Sequence, residues 1–448
     1  YLYDNQLTGS IPPEWGNFNK LGLLALEDNQ LSGTIPPQIC DNSSLATLYL
    51  NGNQFTGAIP PELGNAHYLQ LDNNLLTGSI PPELGNVSYL HVINNQLTGE
   101  IPSELSNVVD LYLDSNQLTG SIPPELGNVK ELHLTNNQLT GSIPPGLAAP
   151  DNLEFLDLSG NRLTGMIPPE LGNLTYLKEI YLNGNQLTGN IPPELCHVSL
   201  NELHLENNCL TGSIPPTLGY NNKYLFELYL NGNQLTGKIP EELGNLPRLK
   251  RINLSSNKLQ GRIPSTFVNL TTLLPSTPTE NNVDFGYNAL FTNLSALIDF
   301  LNEKDPDWQQ TQTIAPGDLK AAVVDNHTAR ISWTPITYTG DTGGYRVYYS
   351  NEPKGPYTLY GQTAAKTDTS MDVTGLNSGT RYYFGVITRT NPHVDNLNTV
   401  NSLPGSRVSA VIPGIIDTTI PVGGETFYKG RQISIAWTTE GVTGDIKI

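Results

Sequence analysis

Leu228-Tyr229-Leu230-Asn231-Gly232-Asn233-Gln234-Leu235-Thr236-Gly237, followed by Lys238-Ile239-Pro240-Glu241-Glu242-Leu243-Gly244-Asn245, is the stretch that decides how this chain folds. Leu228 and Leu230 alternate with Tyr229 and Asn231, the pattern of a short strand with one buried face. The same frame recurs along the chain with its Asn at Asn5, Asn29, Asn53, Asn74, Asn95, Asn116, Asn137, Asn161, Asn185, Asn208, Asn233 and Asn257, and in degenerate form at Asn288. Successive copies lie 24, 24, 21, 21, 21, 21, 24, 24, 23, 25 and 24 residues apart. A unit this short cannot bury its own leucines, so neighbouring copies must stack and share one core.

Each residue type has a physical task in that stack. The recurrent Asn turns inward, where its amide satisfies backbone groups that the strands leave unpaired at the corner. In the Ile-Pro-Pro-Glu-Leu-Gly segment the prolines end strand pairing and open a short helical turn. The Glu then faces the positive end of that turn, and the Gly is expected to close it.

The period and the L-x-L-x-x-N-x-L frame identify leucine-rich repeats. The unit Asn-Gln-Leu-Thr-Gly-Ser-Ile-Pro-Pro-Glu-Leu-Gly-Asn resembles the plant-type subclass, and that resemblance covers residues 1 to about 290. It implies a second short strand in each coil, at the Thr-Gly step. The fold class expected is mainly β, a solenoid of parallel strands with short helical turns, followed by all-β sandwiches.

Composition narrows the function. Asp plus Glu number 42 against 23 Lys plus Arg, a net charge of -19, so the surface repels nucleic-acid phosphates and anionic lipids. No stretch approaches the ~18 apolar residues of a membrane span. The three cysteines, Cys40, Cys196 and Cys209, form neither a disulfide framework nor a zinc pattern. Cys196 and Cys209 fall on different parts of the coil circuit, which disfavours a bridge between them. Nucleophile-elbow, zinc-protease, P-loop and dinucleotide motifs are all missing from the sequence, and the chain is read as a non-enzyme.

Beyond the repeats, residues 291–314 are read as a helical cap and linker. Asn293 to Asn302 forms its helix, capped by Ser295 and ended before Asp305-Pro306. The segment from Val283 to Pro316 resembles the closing segment of secreted bacterial leucine-rich-repeat proteins. Residues 315–413 break into short alternating runs at Ala329–Trp333, Tyr345–Tyr349, Met371–Val373, Thr380–Thr388 and Ser406–Ile412. Trp333, Leu376 and Thr380-Arg381-Tyr382 resemble a fibronectin type III domain, with Tyr382 at the tyrosine-corner position. An Arg-Gly-Asp sequence does not occur in it, so the domain is expected to be a spacer. Residues 414–448, with Pro421 to Thr426 and then Ile433, Ile435 and Trp437, resemble the start of a small stalk sandwich. Tyr1 falls inside a repeat, and the chain is expected to be an ordered segment of a longer protein or a unit completed by a neighbouring molecule.

The outward column between the strand leucines carries the functional signal. It includes Tyr49, His91, Tyr112, His133, Tyr181, His204 and Tyr229, with Glu202, Glu206 and Glu227 beside it. Rings next to carboxylates suit either a glycan or a basic peptide, because aromatics give large contact area at little entropic cost. A second reading, that the column exists for cross-strand packing, stands beside it. His91, His133 and His204 are two or three coils apart, too far to share one metal, and no cofactor is expected. The acidic surface leaves calcium open. The sequence is read as an extracellular or cell-surface protein for recognition or adhesion, contacting a protein or carbohydrate ligand. The alternative is self-association into a fibre or surface layer.

Overall fold

The structure is a computed structural model, and it describes residues 1–18, 20–40, 44–277, 280–418 and 437–440. It is mainly β: a parallel-strand solenoid with short 3-10 turns, then antiparallel sheets. Two α-helices occur among the described residues, Thr217–Asn221 and Ser295–Lys304. The chain divides into two compact units, one of residues 1–257, 262–285 and 292–306, the other of 258–261, 286–291 and 307–448.

In the first unit a 12-stranded parallel sheet runs in chain order from Leu23–Ala25 to Val283–Asp284. The register never slips, because each three-residue strand sets its central leucine or isoleucine against that of the next coil, as in Leu111 with Leu132 and Leu203 with Leu228. These side chains have no solvent exposure, so a one-residue slip would turn the whole apolar row outward.

The corner asparagines form the expected ladder. Asn137 Nδ2 donates to the carbonyls of Leu134 and Thr135 in its own coil and of Leu113 in the preceding one, at 3.2, 3.3 and 3.0 Å. Its Oδ1 accepts from the Leu118 N–H of that preceding coil at 3.0 Å. The residue before each ladder Asn is left-handed, with φ of 54° at Asn73 and 67° at Gly232. That conformation is open to Gly and, among side chains, best tolerated by Asn and Asp, and so most corners carry Gly, Asn or Asp there, while Ser115, Ser256 and Tyr287 adopt it as well.

The Thr-Gly strands form a six-stranded sheet from Thr8–Gly9 to Gln117–Leu118. From Ser142 to Thr236 they shrink to isolated bridges such as Ser142 with Thr164. There the Thr164 hydroxyl and N–H both donate to the Gly141 carbonyl, at 3.3 and 2.8 Å, so a side chain supplements the thinned ladder.

Two sequence expectations need correction here. The Gly of Pro-Glu-Leu-Gly does not close its turn, which ends at an ordinary extended residue such as Ala66 with φ of -76°. A Cβ on Gly64 would lie 2.2 Å from the Glu83 carbonyl oxygen of the next coil, so this glycine serves close approach between coils. Ser295 is the first residue of its helix instead of its cap. Leu294 holds the cap position without a side-chain bond, and the helix extends to Lys304. That helix buries Leu297 and Leu301 and packs beside the turn Ser265–Asn269. Cys196 and Cys209 are not bridged, and Cys196 Sγ donates to Thr217 Oγ1 at 2.9 Å.

In the second unit, Gln312 takes the place of a further ladder Asn. Its Oε1 accepts from Leu290 N–H at 2.9 Å and its Nε2 donates to the Trp308 carbonyl at 2.9 Å. The remainder is an antiparallel sandwich. One sheet joins Gly317–Asp325, Thr328–Thr334 and Ser370–Val373; the other is built on Gly343–Ser350 and Arg381–Thr390. Trp333, Tyr345, Val373, Leu376, Tyr382 and Phe384 fill the space between them. Tyr382 Oη accepts the Asn377 N–H at 3.1 Å, the bond expected of a tyrosine corner. The strands Gly317–Asp325 and Thr358–Gln362 were not read from the sequence. Ile415–Thr418 pairs antiparallel with Trp437–Glu440, whereas the stalk reading at 421–435 lies outside the described residues.

Candidate ligand-binding face

Strand alternation places the outward residues of the 12-stranded sheet in two tiers, two residues apart on every strand. The sequence-predicted rings stack along them. His91 lies 4.2 Å from Tyr112, Tyr112 lies 4.0 Å from His133, Tyr181 lies 4.6 Å from His204, and His204 lies 4.7 Å from Tyr229, centroid to centroid. Where the column lacks a ring, at Gln70 and Asp157, the same strand supplies one two residues earlier. Tyr68 bridges Tyr49 and His91 at 5.3 and 5.7 Å, and Phe155 bridges His133 and Tyr181 at 4.2 and 5.4 Å. Sequence reasoning missed Tyr68, Tyr89 and Phe155, although their period-two spacing from the column was the signal that could have found them.

The consequence is chemical. From His91 through Tyr112 and His133 to Phe155 the rings lie 4.0 to 4.2 Å apart and within 30° of parallel, so their faces cover one another, whereas Tyr49 meets Tyr68 edge-on at 65°. The packing reading of the column therefore accounts for the ring faces.

Burial and the adjacent carboxylates together set the charge on these rings. Tyr112 donates its hydroxyl to Glu131, and Tyr181 to both Glu202 and Glu179, the latter at 3.2 Å. Burial, reinforced by these carboxylate partners, raises both phenols well above the usual range, and Tyr229 is pushed up to about 12 mainly by burial and by Glu227. Burial lowers His91 and pushes His133 down to about 4, so both are neutral at pH 7. At His204 burial also opposes charge, but Glu202 and Glu206 outweigh it and lift the imidazole to about 9.

His204 sits at the centre of the predicted acidic residues. Its Nε2 is 3.3 Å from Glu202 Oε2 and 3.7 Å from Glu227 Oε2, while its Nδ1 faces Glu206 Oε1 at 3.7 Å. Arg251, one strand on, forms an ion pair with Glu227 Oε1 and donates from Nε to Asn282 at 2.7 Å. The structure thus gathers Tyr181, Glu202, His204, Glu206, Glu227 and Tyr229 into one cluster. Tyr112 and His133 stand several coils away beside Asp110 and Glu131, with Tyr49 and His91 beyond them.

The repeating Glu of the Pro-Glu-Leu turns, such as Glu62, Glu83 and Glu125, lies exposed in the first turn of its 3-10 helix and away from this face. No helix among the described residues is long and apolar enough to cross a membrane.

Comparison with known proteins agrees with this geometry. Residues 44–66, 65–87, 86–108 and 107–129, and residues 127–187 and 198–273, match models of the leucine-rich repeat, and residues 314–395 match the fibronectin type III domain. The comparison with curated protein sequences returned no match. Among solved structures, a TDR receptor is 29% identical with a TM-score of 0.58 over 64% of this chain and 50% of its own. The Arabidopsis receptor kinase HAESA, in complex with the peptide hormone IDA and a co-receptor, is 31% identical with a TM-score of 0.55, covering 67% of this chain and 55% of its own. A leucine-rich-repeat protein of Leptospira interrogans is 28% identical with a TM-score of 0.50, covering 65% of this chain and 85% of its own. The chain spans about half the length of the two receptors. Motif, register and comparison converge on one statement: this chain carries leucine-rich repeats stacked as a solenoid, followed by a fibronectin type III domain.

Proposed function

We propose that this protein is an extracellular recognition module whose 12-stranded face binds an extended polypeptide bearing basic side chains. The observation that carries the reading is the ring stack itself. With ring faces covering one another from His91 to Phe155, this stretch offers a sugar little open aromatic platform, while the flanking carboxylates of Asp110 and Glu131 offer acceptors to Lys, Arg or an amino terminus. The net charge of -19 would steer a cationic partner toward it. The solenoid shared with HAESA, solved with a peptide hormone, supports a protein ligand over a carbohydrate. The function is binding, with no catalytic step.

Fluorescence polarisation against peptides graded in charge tests this. Lys- and Arg-bearing peptides are expected to bind, to weaken as salt is raised, and to lose about tenfold in affinity when Asp110→Asn and Glu131→Gln are combined. Equal binding of neutral peptides, or an unaffected double variant, would overturn the reading, as would a glycan-array hit of comparable strength.

A further inference from the structure

We infer that Glu202, His204 and Glu227 form a binding site for a zinc-class divalent ion on the same face, independent of whether a peptide binds there. One atom from each of the three side chains lies within 4.8 Å of the others. The two edges that meet at the imidazole, Nε2 to Glu202 Oε2 and Nε2 to Glu227 Oε2, measure 3.3 and 3.7 Å. Tetrahedral zinc with metal–ligand bonds of about 2.0–2.2 Å requires ligand–ligand edges of about 3.4 Å, so the two edges at the imidazole already stand near their bound lengths, while the edge between the two carboxylates is held within 4.8 Å.

Three further observations point to an ion. His204 Nε2 is sealed from solvent and makes no aligned hydrogen bond, although two carboxylates flank it. Glu206 faces the opposite ring nitrogen at 3.7 Å, the place of the carboxylate that orients a metal-bound imidazole. Arg251 occupies Glu227 Oε1 and leaves Oε2 directed at His204, so the carboxylate is both fixed and divided in its duties. The donor set of one imidazole and two carboxylates suits zinc, cobalt or nickel. Calcium, which takes six to eight oxygens, is a poor match. Water or an acidic group of a ligand would supply the fourth donor of a tetrahedral ion.

The test uses the full chain stripped by chelator, with Zn²⁺ alone in a calorimeter and Co²⁺ as a spectroscopic substitute. One Zn²⁺ per chain is expected, with intense visible Co²⁺ bands of a four-coordinate ion that Ca²⁺ in excess does not displace. Glu202→Gln and His204→Asn should each weaken Zn²⁺ at least tenfold, and Glu206→Gln about tenfold without changing stoichiometry. Circular dichroism melts accompany each variant; if His204→Asn unfolds early, the isosteric Glu202→Gln decides. Equal Zn²⁺ affinity in that variant overturns the proposal. So do the weak bands of six-coordinate Co²⁺, or a wild-type chain that takes up no Zn²⁺ because His204 is only an imidazolium among carboxylates. Since no peptide is present, any of these results leaves the recognition reading standing.

Discussion

Tyr181 donates its hydroxyl to Glu202, the first residue of the next strand, and Tyr112 makes the same bond to Glu131 three coils earlier. The repetition joins the ring tier to the acidic tier, so the two columns act as one surface. Tyr181→Phe should lower the unfolding free energy by about 1 kcal/mol, the worth of one partly buried hydrogen bond. Tyr181→Ala also breaks the stack with Phe155 and His204 and should lower it by about 2–4 kcal/mol. Urea denaturation of both variants separates the two contributions, and an unchanged midpoint in the Ala variant would show that the stack carries no stability.

Asn137→Ala strands the buried Leu118 N–H and takes one of two donors from each of three carbonyls, Leu113 keeping Asn116, Leu134 keeping Asn161 and Thr135 keeping the Ser115 N–H. With Asn137 only 7% exposed, water cannot substitute, and a loss on the order of 3 kcal/mol follows. Thermal melts should show the drop with no change in strand content below the transition.

Gly172→Ala places a methyl 2.2 Å from the Glu194 carbonyl oxygen of the next coil. The two coils must part locally, at about 1–3 kcal/mol. Gly375, left-handed but with nothing within 4 Å of where a Cβ would stand, is the control: an alanine there meets backbone strain alone, about 1–2 kcal/mol. Equal melting losses with no extra hydrogen exchange near Glu194 would contradict the close-approach argument.

Two buried groups give stability opposite pH slopes. Asp114 is pushed up to about 7, chiefly by burial, so between about pH 4 and 7 the native state holds a proton that the unfolded chain releases. Stability from this site therefore falls as pH rises through that window. Asp114→Asn keeps an acceptor for the Thr135 N–H and should raise stability at pH 8 by about 1–3 kcal/mol, with little effect at pH 4. His133, pushed down to about 4 by burial, does the reverse: the unfolded chain binds the extra proton between about pH 6.5 and 4, and stability falls as pH falls. His133→Phe, which keeps the stack, should flatten that acid limb in a series of chemical melts.

The solenoid was legible in the sequence because period, inward leucines and corner asparagines each answer one local physical demand, and Leu203, Leu228 and Asn137 sit where those demands put them. The role of Gly64 was not, since the clash it avoids lies with Glu83, 19 residues on and in another coil. The same holds for the face. Its column could be written down from Tyr49 to Tyr229, yet the substitution of Tyr68 and Phe155 for missing rings depends on how neighbouring strands are registered. His91 and His204 occupy equivalent positions in their repeats and differ in charge because burial outweighs Asp72, Asp110 and Glu131 at His91, whereas Glu202 and Glu206 pair with His204 closely enough to outweigh it. Ser295 was misplaced by one residue because no side-chain bond marks that helix start.

The ladder also has a direction. Asn29, Asn53, Asn137 and Asn233 each reach back to a carbonyl and an N–H of the coil before, and in the second unit Gln312 reaches back to the Leu290 N–H. Each corner is therefore finished by residues made after it. During synthesis from the amino terminus the newest coil always waits, its polar corner open, until one more period of 21 to 25 residues has emerged and closes it from behind.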